Sequence, residues 1–318
     1  MIETIDLRKT YDSCIAVDGV SLRVLEGQVY GFLGPNGAGK TTTLMMLLGI
    51  VRPTSGTVKL FGQPAGPERL DLRRRIGVVP EKHPRGTWGS TTVSEYLALF
   101  ASLFGAPRGR TRVAALLERV GLAEVRKRPV RELSQGMLQK LSIVRSLVHD
   151  PDILFLDEPI NGLDPMGVRQ VRDLIISENR GGRTILISSH LLSEIEKICR
   201  HVGIIFRGRL VAEGTMASLL ERIATDREIQ VELQGIPAEL PSLIQSDLPF
   251  VLGCRREGQT LFITVSKKGD HRRELSEYLY RGGFIPLRFQ EKPFSLEDAF
   301  VTITRDNIKL FAQERGEP

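Results

Sequence analysis

The hydrophobic positions of this chain change their period several times. Residues 2–8 and 20–25 alternate apolar and polar, the period-two pattern of half-exposed strands. "VYGFL" (29–33) is apolar throughout and predicts a strand buried on both faces; it runs into "GPNGAGKTT" and an apolar helix from Thr41 to about Val51. After "RPTSG", "TVKLFG" predicts another short strand. Between about 92 and 150 the stretches "TVSEYLALFASLFGA", "RVAALLERVGL" and "LQKLSIVRSLVHD" are helical in pattern, broken by Gly and Pro, and predict a helical insert. "ILFLD" (153–157) returns to a fully apolar strand, followed by a helix at 165–179, a strand at 184–188, a helix at 191–200 and a strand at 202–206. This strand–helix alternation implies a mostly parallel sheet covered by helices.

Near residue 223 the order changes. A strand at 228–234, a helix at 237–246, strands at 249–255 and 259–265, a helix at 270–281 and a strand at 284–290 follow, and this βαββαβ order suits a small ferredoxin-like unit. "SLEDAFVTIT" reads as a last helix opened by Ser295, with Asp298 three residues on. The expected division is 1–222, with its helical part at about 92–150, then an accessory α+β unit at 223–305 and a tail at 306–318. No internal repeat and no low-complexity segment is visible, and the closing "ERGEP" is expected to fray.

Composition agrees with a large unit joined to a smaller one: 318 residues, 41% hydrophobic and 26% charged, describe a soluble globular chain. No apolar run reaches the ~20 residues that span a bilayer. The longest, "TTTLMMLLGIV" (41–51), is too short. The opening "MIETIDLRKT" carries acids and no apolar core, unlike a secretory signal. Cys14, Cys199 and Cys254 are scattered, with neither metal spacing nor a disulfide framework, and read as reduced thiols of a cytosolic protein. The net charge of +6 is dispersed and its densest runs, "LRRRIG" and "EVRKRPVRE", are interleaved with apolar or acidic residues; this describes a solvated surface rather than a nucleic-acid patch.

The candidate chemistry sits where strands end. "GPNGAGKT" (Gly34, Pro35, Asn36, Gly37, Ala38, Gly39, Lys40, Thr41) fits G-x-x-x-x-G-K-[ST], with a strand before it and a helix after it. The glycines let successive N–H groups point at phosphate oxygens, and the helix N-terminus adds partial positive charge. Lys40 is placed to reach the β- and γ-phosphates, and the Thr41 hydroxyl to hold Mg²⁺. In "ILFLDEPINGLDP", two acids close a strand, and neighbouring side chains on an extended chain point to opposite faces, so each acid is expected to have its own task. Asp157 is the natural Mg²⁺ partner, through water, which leaves Glu158 free to take a proton from an attacking water. His190, just after the strand "TILISS", ends beside the same site.

Taken together with "LSQGMLQKL" (133–141), these motifs resemble the ATP-binding cassette (ABC) ATPases in kind and order over residues 1 to about 222. The resemblance implies an α/β P-loop NTPase core with a mixed sheet and a helical subdomain, acting as the ATP-hydrolysing subunit of a transporter, with ATP and Mg²⁺ as ligands. It also implies that Tyr11 stacks on adenine, that Thr42 belongs to the nucleotide loop, and that Ser134, Gln135 and Gly136 of the signature motif complete the site of a second copy. Ser134 can equally be read as a plain helix cap. "NGLDP" matches a loop that contacts the opposite subunit, while Asp164 before Pro165 is also a good local helix start. Glu81 stands where the family usually has a glutamine that touches Mg²⁺ or the attacking water. The segment after it, with Trp88, looks longer than usual; Trp88 reads as a docking residue for a membrane subunit or as a core tryptophan. The ending "PFSLEDAF" resembles the extra domain of daunorubicin-type drug exporters, sodium exporters and gliding- or pilus-associated transporters. The implied partners are a second copy and an integral membrane permease, with no nucleic acid, at the cytoplasmic face of the membrane. The alternatives are a soluble cassette ATPase acting on nucleic acid or ribosomes, and a non-transport regulatory module; the single P-loop, the short stretch from Lys40 to Asp157 and the lack of zinc spacing speak against the first.

Overall fold

In the computed structural model the described residues are 1–81, 88, 90–106, 109–224 and 226–314. The elements begin with β1 (Ile2–Tyr11), β2 (Cys14–Val24), β3 (Val29–Leu33), α1 (Lys40–Leu47), β4 (Ser55–Leu60), β5 (Gln63–Pro64), α2 (Leu70–Arg73) and β6 (Ile76–Val79). Next come α3 (Val93–Leu103), α4 (Gly109–Arg119), α5 (Gln135–Leu147), β7 (Ile153–Asp157), α6 (Pro165–Arg180), β8 (Thr184–Ser189), α7 (Leu192–Ile198), β9 (His201–Phe206) and β10 (Arg209–Thr215). The last group is α8 (Met216–Ile223), β11 (Asp226–Leu233), α9 (Leu240–Asp247), β12 (Val251–Glu257), β13 (Thr260–Ser266), α10 (Arg272–Arg281), β14 (Pro286–Lys292) and α11 (Leu296–Glu314). The chain forms two compact units, Met1–Met216 and Ala217–Pro318, so α8 goes almost wholly with the second unit, and the division falls before the change of pattern near 223.

The first unit is built on β3, β7 and β8, every residue of which is buried. Continuous apolar runs of this kind suit the middle of a parallel sheet covered on both faces. The sheet order is β10-β9-β3-β8-β7-β6, parallel except for β10, which returns antiparallel on β9. β8 thus lies between β3 and β7, and the carboxyl ends of β3, β8, β7 and β6 follow one another along one edge. This arrangement positions the site: loop 34–39, His190, the Asp157–Glu158 pair and Glu81 leave the sheet side by side. β6 and β10 were not evident in the hydrophobic pattern; "IGVV" is short, and β10 is only half-buried.

A second, antiparallel sheet, β2-β1-β4-β5, packs its apolar face on the same core, with Ile2, Leu7, Val20 and Leu22 meeting Phe32, Leu44 and Leu47. β1 and β2 are longer than the sequence suggests and form one hairpin that brings Tyr11 opposite Cys14. The helical insert starts at α3, where Thr92 and Glu95 cap each other reciprocally. Trp88, half-buried, stands edge-on to Tyr96 at 4.7 Å and lies 5.9 Å from Phe100. The rest of the segment after Glu81, residues 82–87, lies outside the described residues.

In the second unit β12-β13-β11-β14 form an antiparallel sheet. Ile229, Val231 and Leu233 alternate inward on β11, Leu261, Ile263 and Val265 on β13, and they meet Ile244 of α9 and Leu275 and Leu279 of α10. With its βαββαβ order this is the ferredoxin-like arrangement expected from the pattern. α11 opens as expected, with Ser295 and Asp298 bonded to each other's backbone N–H. Among the described residues no helix is long and apolar enough to cross a membrane.

Candidate active site

Loop 34–39 can wrap so tightly only because of its glycines. A Cβ on Gly34 would lie 2.4 Å from the Ile205 carbonyl oxygen. Gly39, at φ +106°, caps α1 with no side chain bonded to the first N–H groups, and a Cβ there would lie 2.5 Å from the Ala16 carbonyl oxygen. The start of α1 is therefore left as an anion-facing helix N-terminus. Lys40 is 6% exposed, and its Nζ donates to the carbonyl oxygens of Gly34 at 2.7 Å and Pro35 at 3.2 Å. The loop holds its own cation at the mouth it forms. Ala38 is buried behind the loop.

The two acids part company as expected, but for a different reason. Strand alternation does not extend to Glu158: its φ is +50°, and the backbone turns there instead of continuing extended. Asp157, 7% exposed, accepts from the Thr41 hydroxyl at 3.1 Å and from the Ser188 hydroxyl. Glu158, 5% exposed, lies 3.8 Å from the Lys40 ammonium and faces His190 Nδ1 at 2.9 Å and the His190 N–H at 3.4 Å. An Nδ1–H donated to this carboxylate leaves Nε2 of His190 for a ligand. One acid thus adjoins a hydroxyl that can share a cation, while the other adjoins a lysine and a histidine.

A cleft of about 360 Å³ brings most of the expected residues together: Asn36, Gly37, Gly39, Lys40, Thr41 and Thr42 on one side, Glu81, Asp157, Glu158 and His190 on the other. Cys14, Ile15, Ala16 and Asn161 line it too and were missed by the sequence reading. The alternating pattern becomes clear only from residue 20, so the first three carry no signal in the sequence; the hairpin of β1 and β2 sets them next to Tyr11. Tyr11 itself stays 45% exposed beside the cleft, with Lys9 Nζ 4.8 Å from its ring centre. Thr41, Glu81 and Asp157 also border a neighbouring apolar cleft formed with Leu44, Met45, Leu48 and Val78.

Ser134, Gln135, Gly136 and Asp164 do not reach this cleft. Ser134 caps α5, accepting from the Met137 N–H at 3.3 Å. Asp164 caps α6, accepting from the Gly167 N–H at 2.9 Å, so its local role is present. Gly136 sits where a Cβ would come 3.3 Å from Leu163 Cδ2, so the start of α5 rests on the 161–165 loop.

Among known proteins, a family profile described as ABC transporter matches residues 17–161. The chain is 38% identical to the bacitracin transport ATP-binding protein BcrA of Bacillus licheniformis over 304 residues, covering 95% of this chain and 97% of that protein. It is 38% identical to the Nod factor export ATP-binding protein I of Burkholderia pseudomallei over 301 residues, covering 94% of this chain and 95% of that one. A solved structure of an ATP binding subunit of an ABC transporter superposes with a TM-score of 0.65 at 28% identity, covering 70% of this chain and 92% of that chain.

Proposed function

The chain belongs to the ABC transporter family as an ATP-binding, ATP-hydrolysing subunit, and on that premise we propose that it drives export through a separate membrane permease, as one half of a pair of identical chains. One observation carries the catalytic part of this reading: Lys40, the Thr41–Asp157 pair and the Glu158–His190 pair converge on a single cleft at the carboxyl ends of parallel strands. This is where open α/β sheets bind ligands. The loop N–H groups and Lys40 bind the phosphates, Tyr11 stacks on the base, and His190 Nε2 reaches the terminal phosphate. Glu158 accepts the proton of the attacking water.

The donor set fits Mg²⁺, which takes oxygen ligands and binds through one or two protein groups with water and phosphate. Thr41 and Asp157 would hold it, with Glu81 beside them, and it would neutralise phosphate charge. Ser134, Gln135 and Gly136 complete the site of the second copy; the exposure of Ser134 and Gln135 and the place of all three outside this chain's own cleft support that reading. The apolar cleft next to Glu81, with Met45 and Ile50 exposed at its rim, is the proposed seat of the permease. The protein then works at the cytoplasmic face of the membrane, and the export-named relatives, together with the ending "PFSLEDAF", support the drug-, sodium- or gliding-type exporter group.

Glu158→Gln tests the reading. It keeps the shape and loses the proton acceptor, so turnover should fall by about 10²-fold or more while Mg-ATP still binds. Nucleotide shared between two chains should then hold the pair closed, and light scattering should show a doubling of mass on adding Mg-ATP. Near-parental turnover would remove Glu158 as the base, and an unchanged mass would remove the shared site.

A further inference from the structure

α5 carries more than the signature residues at its start. Gln139, one turn on, is 2% exposed, and its Nε2 donates to the main-chain carbonyl of Glu158 at 3.2 Å. Burying a carboxamide is costly unless it is bonded, and here the bond goes to the backbone of the acid in the cleft. That backbone has the left-handed φ of +50°, uncommon for a side chain with a Cβ. It is held from two other sides as well: Glu158 N–H donates to the Ser188 carbonyl at 3.1 Å, and the Asn161 N–H donates to the Glu158 carbonyl at 3.2 Å. The conformation that aims the carboxylate at Lys40 and His190 therefore depends on β8, on the following turn and on α5. The N-terminus of α5 meanwhile rests on the 161–165 loop through Gly136, Gly162 and Leu163.

We infer that Gln139 is a positioning residue for hydrolysis: its amide ties the helix offered to the partner's nucleotide to the backbone of the base acting in the chain's own cleft. The inference rests on reading Glu158 as that base. A general base must stand within hydrogen-bond reach of the proton it takes. With the α5 donor removed, the Glu158 carbonyl loses one holding bond and the left-handed turn is free to relax. Nucleotide binding, which uses loop 34–39 and Lys40, is not touched. A shift of α5 against its partner is transmitted by the same bond, so engagement of one site and chemistry at the other become linked within one chain.

The test compares Gln139→Met, which keeps length and volume without a donor, and Gln139→Leu, which removes donor and acceptor at similar volume, with the parent. Turnover is expressed per nucleotide-binding molecule, counted by calorimetric stoichiometry, so that a loss of folded protein does not enter. Both variants should bind Mg-ATP with parental affinity and lose about tenfold in kcat, the rate equivalent of one buried hydrogen bond. Parental kcat in either variant, or a fall confined to the affinity, overturns the inference. In a Glu158→Gln background, Gln139→Met should still give the ATP-dependent mass increase; its loss would place Gln139 in the folding of the partner-facing helix and overturn its role toward the base. Glu158→Gln retaining turnover by itself would defeat the base reading instead, whereas an inactive Glu158→Gln with a fully active Gln139→Met would defeat only the role of Gln139.

Discussion

Lys40 brings a buried ammonium to the cleft on carbonyls of its own loop. On the proposed phosphate role, Lys40→Ala would remove charge-assisted bonds each worth about 1.5–3 kcal/mol, so Mg-ATP affinity by calorimetry should fall at least about tenfold. Unchanged affinity with unchanged turnover would contradict the phosphate role. Glu81 adds a third carboxylate to the cleft, with Asp157 and Glu158, near loop 34–39. Glu81→Gln keeps an oxygen ligand and removes that charge, and steady-state ATPase should stay at or above the parental rate; a severe loss would show that the carboxylate itself is needed. The cysteines differ sharply in environment. Cys199 is buried, Cys254 is pushed up to about 11 by burial, and Cys14 is exposed at the rim of the cleft. Since the thiolate is the reactive form, brief alkylation near neutral pH followed by peptide mass analysis should find Cys14 labelled first, and Mg-ATP should slow that labelling. Labelling of Cys199 ahead of Cys14 would contradict the burial pattern.

Ion pairs add to the apolar packing that holds α4 of the helical insert on the core. Glu178, near the end of α6 and 8% exposed, is met by Arg119 of α4 at 2.7 Å, Arg183 before β8 at 2.9 Å and Arg112 of α4 at 4.0 Å. Asp150, in the turn leading to β7, is shared by Arg112 at 3.0 Å and Arg183. Arg112 also donates to the Leu147 carbonyl at the end of α5 at 2.8 Å. Two arginines of one helix are thus anchored on the frame that carries Asp157 and Glu158. Glu178 is buried but Arg119 and Asp150 are partly exposed, so removing its charge should cost less than breaking a fully buried pair, about 1–2 kcal/mol. Glu178→Gln should therefore lower the thermal midpoint clearly while leaving Mg-ATP affinity near parental, because no cleft residue is touched. A midpoint within a degree or so of the parent would show that the cluster is a solvated surface feature.

At the level of the entire chain, every residue lining the cleft lies within Met1–Met216, and the second unit has its own core. Residues 1–222 alone should therefore fold and bind Mg-ATP, as circular dichroism and calorimetry would show. A soluble fragment that binds no nucleotide would mean that the second unit is required for the first. The outer face of the second sheet bears Glu228, Arg255 and Lys292, which pair across strands at 3.1 Å and 3.9 Å, and Phe262 under Arg255. Pairs whose cations are this exposed contribute little to stability, so the stability of this unit rests on the apolar face under α9 and α10.

Much of this protein is legible in its one-dimensional pattern. Mostly apolar runs pointed to β3, β7 and β8, because strands buried on both faces are dominated by apolar residues, with Asp157, Thr184, Ser188 and Ser189 as buried polar exceptions. The phosphate loop was recognisable because a tight anion-binding turn demands glycines at fixed offsets, with a cation and a hydroxyl next to them. The period-two and helical stretches after residue 223 predicted the elements of the second unit and their βαββαβ order along the chain. Tertiary structure alone decided what these pieces do to one another. Strand order, with β8 between β3 and β7, sets His190 beside Glu158, and no local pattern encodes which strands become neighbours. Cys14, Ile15 and Ala16 reach the cleft because the hairpin of β1 and β2 lies against loop 34–39, where a Cβ on Gly39 would come 2.5 Å from the Ala16 carbonyl oxygen. The left-handed turn at Glu158 and the hold of Gln139 on its carbonyl are likewise invisible in sequence. The physical reason is that periodicity records which face of an element is buried, while the partner it is buried against is chosen only when the whole chain has packed.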